Sequence, residues 1–96
     1  MEIRTVGVIG AGQMGNGIAH VFALAGYEVR LNDLDAARVD AAIETISRNM
    51  DRQVGRGLIG EGEKAEALAR ISGTTELSAV GGSDLVIEAA TENERV

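Results

Sequence analysis

The chain has 96 residues, of which 45% are apolar and 25% charged, a mixture typical of one globular domain. Asp and Glu number 15 against 9 Lys and Arg, giving a formal net charge of −6, which argues against nucleic acid or a membrane surface as the main partner. There is no cysteine for a disulfide or a thiolate metal site, and no apolar run approaches the ~20 residues of a membrane span. We therefore expect a cytoplasmic protein with no metal site.

The first third of the chain predicts a strand, a glycine turn, a helix and a second strand. Thr5–Ile9 is an apolar run without polar alternation, typical of a strand buried on both faces of a parallel sheet. After the turn at Gly10–Gly12, apolar residues recur with the period of a helix, at Met14, Ile18, Val21, Phe22 and Ala25. Gly26 suits the left-handed residue that ends a helix. Glu28–Asn32 then alternates as a second strand, which completes one βαβ unit.

The remainder predicts two helices and two more strands. Asp35 is placed to cap a long helix that runs to Gly55, with a buried stripe at Val39, Ile43, Ile46, Met50 and Val54. A shorter helix near Glu63–Arg70 and a brief edge strand at Ile71–Gly73 follow. The apolar run Leu85–Ile87 predicts another buried parallel strand. Because the alternation ends on a strand with no covering helix, we expect the chain to be the front part of a longer protein.

Gly10, Gly12 and Gly15 have the spacing of a dinucleotide-binding turn. In such a turn the first glycine allows a tight exit from the strand, the second lets the backbone approach a pyrophosphate, and the third lets the helix pack closely on the sheet. The N–H groups at the start of the helix then point at the phosphates. These glycines and the residues between them, Ala11, Gln13 and Met14, are predicted to bind the cofactor. The alternative is a tight strand–helix turn with no ligand.

Asp33 lies at the end of the second predicted strand, 18 residues past Gly15. Its carboxylate can accept both hydroxyls of an adenosine ribose and would repel a 2′-phosphate, which predicts NAD rather than NADP. No arginine follows it immediately, since Arg30 lies within the strand and Arg38 a turn into the next helix. The alternative is that Asp33 caps a loop. The whole pattern predicts an α/β fold with a Rossmann-like parallel sheet and a long helical excursion, truncated after about four strands.

Three arginines, Arg48, Arg52 and Arg56, recur every four residues and form a basic stripe on the open side of the long helix. Aligned arginines can hold the phosphates of an anionic substrate. The alternative is a solvated helix face supported by neighbours such as Glu44 and Asp51. Spacing alone leaves both interpretations open.

The other candidates are one histidine and two acids. His20 is the only histidine, and we predict that it is solvated or partly packed, because spacing places no carboxylate or nucleophile beside it. Glu88 and Glu92 flank the end of the last strand, where ligands of open parallel sheets bind. They either approach a bound cofactor or lie in a solvated loop.

Two strings of residues resemble a known family. GAGQMGNGIAH at 10–20 and DLVIEAATEN at 84–93, with Asp33 between them, resemble the N-terminal domain of the 3-hydroxyacyl-CoA dehydrogenases. The bacterial 3-hydroxybutyryl-CoA dehydrogenases are the most similar subgroup, and the segment Arg70–Thr74 supports it. The resemblance covers essentially the whole chain. It is much more specific than the glycine spacing alone.

The resemblance implies a role for several residues. The turn Gly10–Gly15 would bind the NAD pyrophosphate, Asp33 the adenosine ribose, and Glu92 would lie near the nicotinamide. Arg52 and Arg56 match positions that contact the CoA moiety, although the family more often has Lys there. Residues 1–96 would then be the N-terminal part of a dinucleotide-binding domain, and the helical domain that forms the homodimer would lie outside this chain.

The resemblance also implies the reaction of the whole protein. It would transfer a hydride from C3 of a short-chain 3-hydroxyacyl-CoA to NAD in fatty acid metabolism. The family's catalytic His, its partner Glu, and a Ser and an Asn come later in the chain, so this chain has no catalytic residue and is expected to be inactive alone. Two alternatives remain: a β-hydroxyacid dehydrogenase acting on free acids, and a non-catalytic NAD-binding or redox-sensing module. The first usually favours NADP and has a basic residue where Asp33-Leu34 stands.

Overall fold

A computed structural model describes residues 2–89, which form one parallel sheet with helices packed on it. The strands are β1 (Thr5–Ile9), β2 (Glu28–Asn32), β3 (Ile71–Thr74) and β4 (Leu85–Glu88), and the helices are α1 (Gln13–Leu24), α2 (Ala36–Gly55) and α3 (Glu61–Ala69). The strand order is β3-β2-β1-β4, and every neighbouring pair is parallel. This topology confirms the Rossmann-like α/β prediction, including the long helical excursion between β2 and β3.

The inward face of α1 differs in part from the predicted one. Its buried residues are Gly15, Ala19 and Ala23, whereas Met14 and Val21 are 50% and 65% exposed. At Gly15 the helix approaches the end of β1 closely, because an added Cβ would lie 1.7 Å from the Gly10 carbonyl oxygen and 3.6 Å from the Val8 side chain. The predicted stripe is therefore confirmed only in part: Ile18 and Phe22 pack against the core, whereas Met14 and Val21 do not.

The predicted stripe of α2 is confirmed. Val39, Ile46 and Met50 are buried, together with Ala42. The carboxylate of Asp35 caps the helix as expected, because its Oδ1 accepts a hydrogen bond from the Ala37 N–H at 2.9 Å. The apolar face of α2 is therefore packed in the core, and its polar face is exposed to solvent.

β4 is less buried than the sequence predicts. Among residues 2–89 it pairs only with β1 and forms one edge of the sheet. Leu85 and Ile87 are half-buried and Val86 is 44% exposed. The apolar run is thus a parallel strand, as predicted, but the described part of the chain covers only one of its edges.

Asp84 fastens the start of β4 to the start of β1. Its Oδ2 accepts hydrogen bonds from the N–H groups of Arg4 at 2.8 Å and Thr5 at 3.1 Å. These two bonds, with the nearby charges of Arg4 and Arg30, outweigh desolvation and hold the pKa of Asp84 below its ordinary value. The contact lies at the amino-terminal ends of β1 and β4, whereas the glycine turn follows the carboxyl-terminal end of β1.

This contact predicts a pH dependence of stability. Because the pKa of Asp84 is lowered by folding, its ionised form stabilises the fold above the unfolded pKa of about 3.9. That stabilisation is lost as the pH falls through the lower folded pKa. Between about pH 5 and pH 3, the Tm of Asp84→Asn should therefore fall less than that of the parent. Equal falls in calorimetric scans would contradict the assignment.

Candidate functional site

The glycine turn joins the end of β1 to the start of α1. Gly10 has a positive φ of 104°, which glycine adopts without strain, and its N–H donates to the Asn32 carbonyl at 2.7 Å. A Cβ on Gly15 would lie 1.7 Å from the Gly10 carbonyl oxygen, so α1 touches the backbone of the turn. The two glycines thus have the mechanical roles that the spacing predicts.

The start of α1 suits an anion. Gly12 is the N-cap and has no side chain with which to satisfy the first N–H groups, and the first turn contains no acidic residue. The N–H groups at a helix start concentrate partial positive charge there. An extended anion such as a pyrophosphate can therefore lie against Gly12 and Gln13 without a competing carboxylate in that turn.

Asp33 lies against the glycine turn. Its Oδ2 accepts a hydrogen bond from the Ala11 N–H at 3.0 Å, and its Oδ1 accepts one from the Asp35 N–H at 3.2 Å. Burial works against ionisation, but these N–H groups and the charge of Arg38 outweigh it and hold the pKa of Asp33 below its ordinary value. The structure therefore brings the predicted acid and the predicted turn together, with the acid ionised at neutral pH.

A cavity of about 270 Å³ opens beside Asp33. Its lining residues are Ile9, Gly10, Asn32, Asp33, Leu34 and Leu77. Leu34 and Leu77 are 88% and 56% exposed, so two apolar side chains border a mostly apolar opening next to a carboxylate. That arrangement fits a flat base whose ribose reaches the acid. Sequence reasoning missed both leucines; the one available signal was an apolar residue directly after Asp33.

A second cavity, of about 280 Å³, lies between the start of α1 and α2. Its lining residues are Ala11, Gly12, Gln13, Asn16, Arg38, Ala41, Ala42 and Thr45. Although Arg38 stands a turn into α2, its Nε lies 3.3 Å from Asp33 Oδ2. The predicted ribose acid therefore pairs with an arginine that sequence spacing had set apart from it.

The basic stripe lies on the exposed face of α2. Arg48 pairs with Glu44 at 3.5 Å, and Arg52 contacts the side-chain oxygen of Asn49. Arg56 follows the end of α2 as its C-cap and is exposed. Asp51, which we had expected to support the arginines, contacts Lys64 instead. The stripe is accessible to a ligand, and Arg48 reaches the rim of the second cavity through Thr45 at 3.4 Å.

Of the remaining candidates, Glu88 lies beside the end of β1, where the glycine turn starts, and His20 lies farther along α1. His20 is partly buried, and its Nε2 lies 2.8 Å from Gln53 Oε1, which agrees with the prediction of a partly packed histidine. Glu88 is exposed and pairs in register with Ile9 at the end of β4. Glu92 lies outside the described residues.

Other features of residues 2–89 do not suggest a competing site. A cavity of about 450 Å³ between α2 and β3 is lined by Asp40 and Glu76 and by no basic residue, which does not suit a phosphorylated ligand. Within this described range, no group of three His, Asp or Glu side chains is arranged to hold a metal ion. No helix there has the length and apolarity needed to cross a membrane.

Comparisons with known proteins agree with this geometry. The profile of the family "3-hydroxyacyl-CoA dehydrogenase, NAD binding domain" matches residues 5–96. The chain is 52% identical to a 3-hydroxybutyryl-CoA dehydrogenase of Bradyrhizobium diazoefficiens, over 98% of this chain and 32% of that protein. It is 43% identical to one of Mycobacterium tuberculosis, over 98% of this chain and 33% of that protein.

A solved structure is similar as well. The (S)-3-hydroxybutyryl-CoA dehydrogenase of Ralstonia eutropha superposes with a TM-score of 0.92 at 45% identity, over 97% of this chain and 33% of that one. The chain therefore spans about a third of the length of these relatives. The matches confirm the resemblance, the fold and NAD as the cofactor of the domain. The chain belongs to the 3-hydroxyacyl-CoA dehydrogenase family and matches its NAD-binding domain.

Proposed function

We propose that the protein containing this chain is an NAD-dependent 3-hydroxyacyl-CoA dehydrogenase that oxidises the 3-hydroxyl of 3-hydroxybutyryl-CoA. Residues 1–96 would form the N-terminal part of its dinucleotide-binding domain. The observation that carries the proposal is the contact of Asp33 with the turn at Ala11, because it joins the ribose acid to the phosphate-binding backbone. The proposed substrate, 3-hydroxybutyryl-CoA, is supported by the names of similar proteins, which are 3-hydroxybutyryl-CoA dehydrogenases.

The proposed cofactor site is built mainly from backbone. The residues of the turn, Gly10, Ala11, Gly12, Gln13, Met14 and Gly15, would hold the pyrophosphate against the start of α1. Asp33 would accept the hydroxyls of the adenosine ribose, and the adenine would enter the cavity between Leu34 and Leu77. Glu92 would lie near the nicotinamide. Each contact orients the dinucleotide rather than reacting with the substrate.

These roles separate cofactor binding, which belongs to this chain, from proton transfer, which does not. When bound, NAD accepts the hydride that leaves C3 of the hydroxyacyl thioester. This chain binds and orients the dinucleotide, and the general base that takes the hydroxyl proton would lie beyond residue 96. The isolated chain is therefore expected to bind NADH without turning over substrate.

The basic stripe gives a separate prediction. If Arg52 and Arg56 hold phosphates of CoA, Arg52→Gln and Arg56→Gln should each raise the KM for acetoacetyl-CoA by about three- to tenfold, with kcat little changed. The N-acetylcysteamine thioester of acetoacetate is the control substrate, because it lacks those phosphates. Equal rises in KM for both substrates would contradict direct contact with CoA.

The function is tested on the product of the whole reading frame in which this chain lies. We expect it to oxidise NADH with acetoacetyl-CoA and to leave free acetoacetate unchanged. Turnover of the free acid instead would favour a β-hydroxyacid dehydrogenase. NADH binding without turnover of either would leave a non-catalytic NAD-binding or redox-sensing module.

The setting of the protein is part of the same proposal. We propose that it acts in the cytoplasm, in fatty acid metabolism, as a homodimer formed through a helical domain that follows this one. The net charge of −6 disfavours nucleic acid and anionic membranes as partners. Light scattering of the full-length product measures the oligomeric state directly, and a monomer would contradict the dimer.

A further inference from the structure

Two opposite charges lie where a dinucleotide site binds the ribose: Asp33 directly follows β2, and Arg38 is in the first turn of α2. Arg38 Nε lies 3.3 Å from Asp33 Oδ2, and the two side chains are 59% and 16% exposed. The aspartate is thus held in place by the fold, while much of the guanidinium remains accessible to solvent. Both residues border the glycine turn, Asp33 through its hydrogen bond to Ala11 and Arg38 through the cavity that contains Ala11 and Gly12.

These two residue types have opposite preferences for the adenosine ribose. A carboxylate accepts hydrogen bonds from the free 2′- and 3′-hydroxyls and repels a 2′-phosphate. A guanidinium is a donor only, and its fork matches the oxygens of a phosphate. Because the closest approach of Arg38 to Asp33 is through Nε, the two Nη atoms remain for a second anion.

Building on the proposed function, we propose that Arg38 is a specificity-determining residue of the dinucleotide site and acts together with Asp33. The Asp33 carboxylate holds Arg38 in an ion pair and excludes the 2′-phosphate of NADP. When that negative charge is removed, Arg38 binds the 2′-phosphate. The preference of this site for NAD therefore depends on a single carboxylate beside a phosphate-binding arginine.

Asparagine is the informative replacement for Asp33. It keeps a side-chain oxygen that can accept the Ala11 N–H, so the contact with the glycine turn is retained. It removes the negative charge that pairs with Arg38, which weakens the hold on the guanidinium, and its amide nitrogen replaces Oδ1, so the hydrogen bond from the Asp35 N–H is lost. An alanine would remove the acceptor as well. A loss of affinity could then come either from a disturbed glycine turn or from the lost contact with the ribose, and the two effects could not be separated.

The test measures binding to the full-length protein by calorimetry, with 2′,5′-ADP and 5′-ADP as probes. The two probes differ in where the second phosphate is attached. We expect Asp33→Asn to raise the ratio of affinities for 2′,5′-ADP over 5′-ADP at least tenfold, about the effect of one charge-assisted hydrogen bond. Adding Arg38→Gln to this variant should abolish most of that gain in affinity. Arg4→Gln, which removes an exposed charge elsewhere, is the control for charge alone. Added to Asp33→Asn, it should leave the gain in affinity for 2′,5′-ADP unchanged.

A gain that persists without Arg38, or no gain at all in a variant that still binds NADH, would overturn the proposal. Arg38→Gln in the parent protein is a second test that does not depend on the stability of Asp33→Asn. It leaves the Asp33 charge without its partner, so repulsion of the 2′-phosphate should weaken NADPH binding, followed by fluorescence, at least threefold more than NADH binding. Equal effects on both would also contradict the role of Arg38. Failure of the parent to bind NADH would instead refute the proposed function.

Discussion

Replacing Gly15 with alanine is expected to unfold the glycine turn and abolish NADH binding. The added Cβ would lie 1.7 Å from the carbonyl oxygen of Gly10, and a backbone atom cannot rotate away as a side chain can. α1 must therefore move off the turn, at an expected cost of about 1–3 kcal/mol in the free energy of unfolding. Urea denaturation measures the loss of stability, and NADH fluorescence measures the loss of binding.

Gly17→Ala is the matched control in the same helix. A Cβ on Gly17 would meet nothing within 4 Å, and alanine is the better helix former by about 0.5–1 kcal/mol. This variant should be as stable as the parent or more stable, with unchanged NADH binding. Similar behaviour of the two variants would mean that α1 does not contact the turn closely.

Truncating Ile46 to alanine is expected to cause the largest loss among substitutions of large side chains in α2. Ile46 is fully buried in the core that joins α2 to the sheet. Removing three of its carbons leaves a cavity and should lower the free energy of unfolding by about 2–5 kcal/mol. Denaturation in urea with an unchanged m-value is the expected signature.

Val21→Ala is the comparison for this prediction. Val21 is 65% exposed on α1, although the apolar periodicity placed it on the buried face. Its truncation should change stability by less than about 0.5 kcal/mol. If Val21→Ala were as costly as Ile46→Ala, the inward face of α1 would be the one that the sequence predicted.

The elements that the sequence predicted well are those with strong local signals. β1 comes from an uninterrupted apolar run, and the stripe of α2 from large apolar side chains with a clear helical period. The glycine turn and Asp33 come from residue types that few other structures require at that spacing. The face of α1 was predicted only in part, because its most buried residues, Gly15, Ala19 and Ala23, are small and contribute little to an apolar pattern.

The partners within the site were less predictable than its separate parts. Arg38 reaches back to Asp33 because the first turn of α2 folds over the end of β2, and position along the chain carries no such information. Leu34 and Leu77 border one cavity, yet Leu34 follows β2 whereas Leu77 starts a short 3₁₀ helix after β3. Such contacts depend on tertiary structure, and no local periodicity encodes them.

The sheet topology has a consequence for the order of folding. β1 lies between β2, which follows it closely in the chain, and β4, whose approach joins Arg4 to Asp84 across 80 positions. During synthesis, β1 and β2 leave the ribosome together, whereas β4 emerges much later. One edge of β1 must therefore stay unpaired in the nascent chain, where it is open to strands of other molecules. Pairing across this separation carries a large entropic cost of loop closure, so we expect Asp84 to join the structure late in folding.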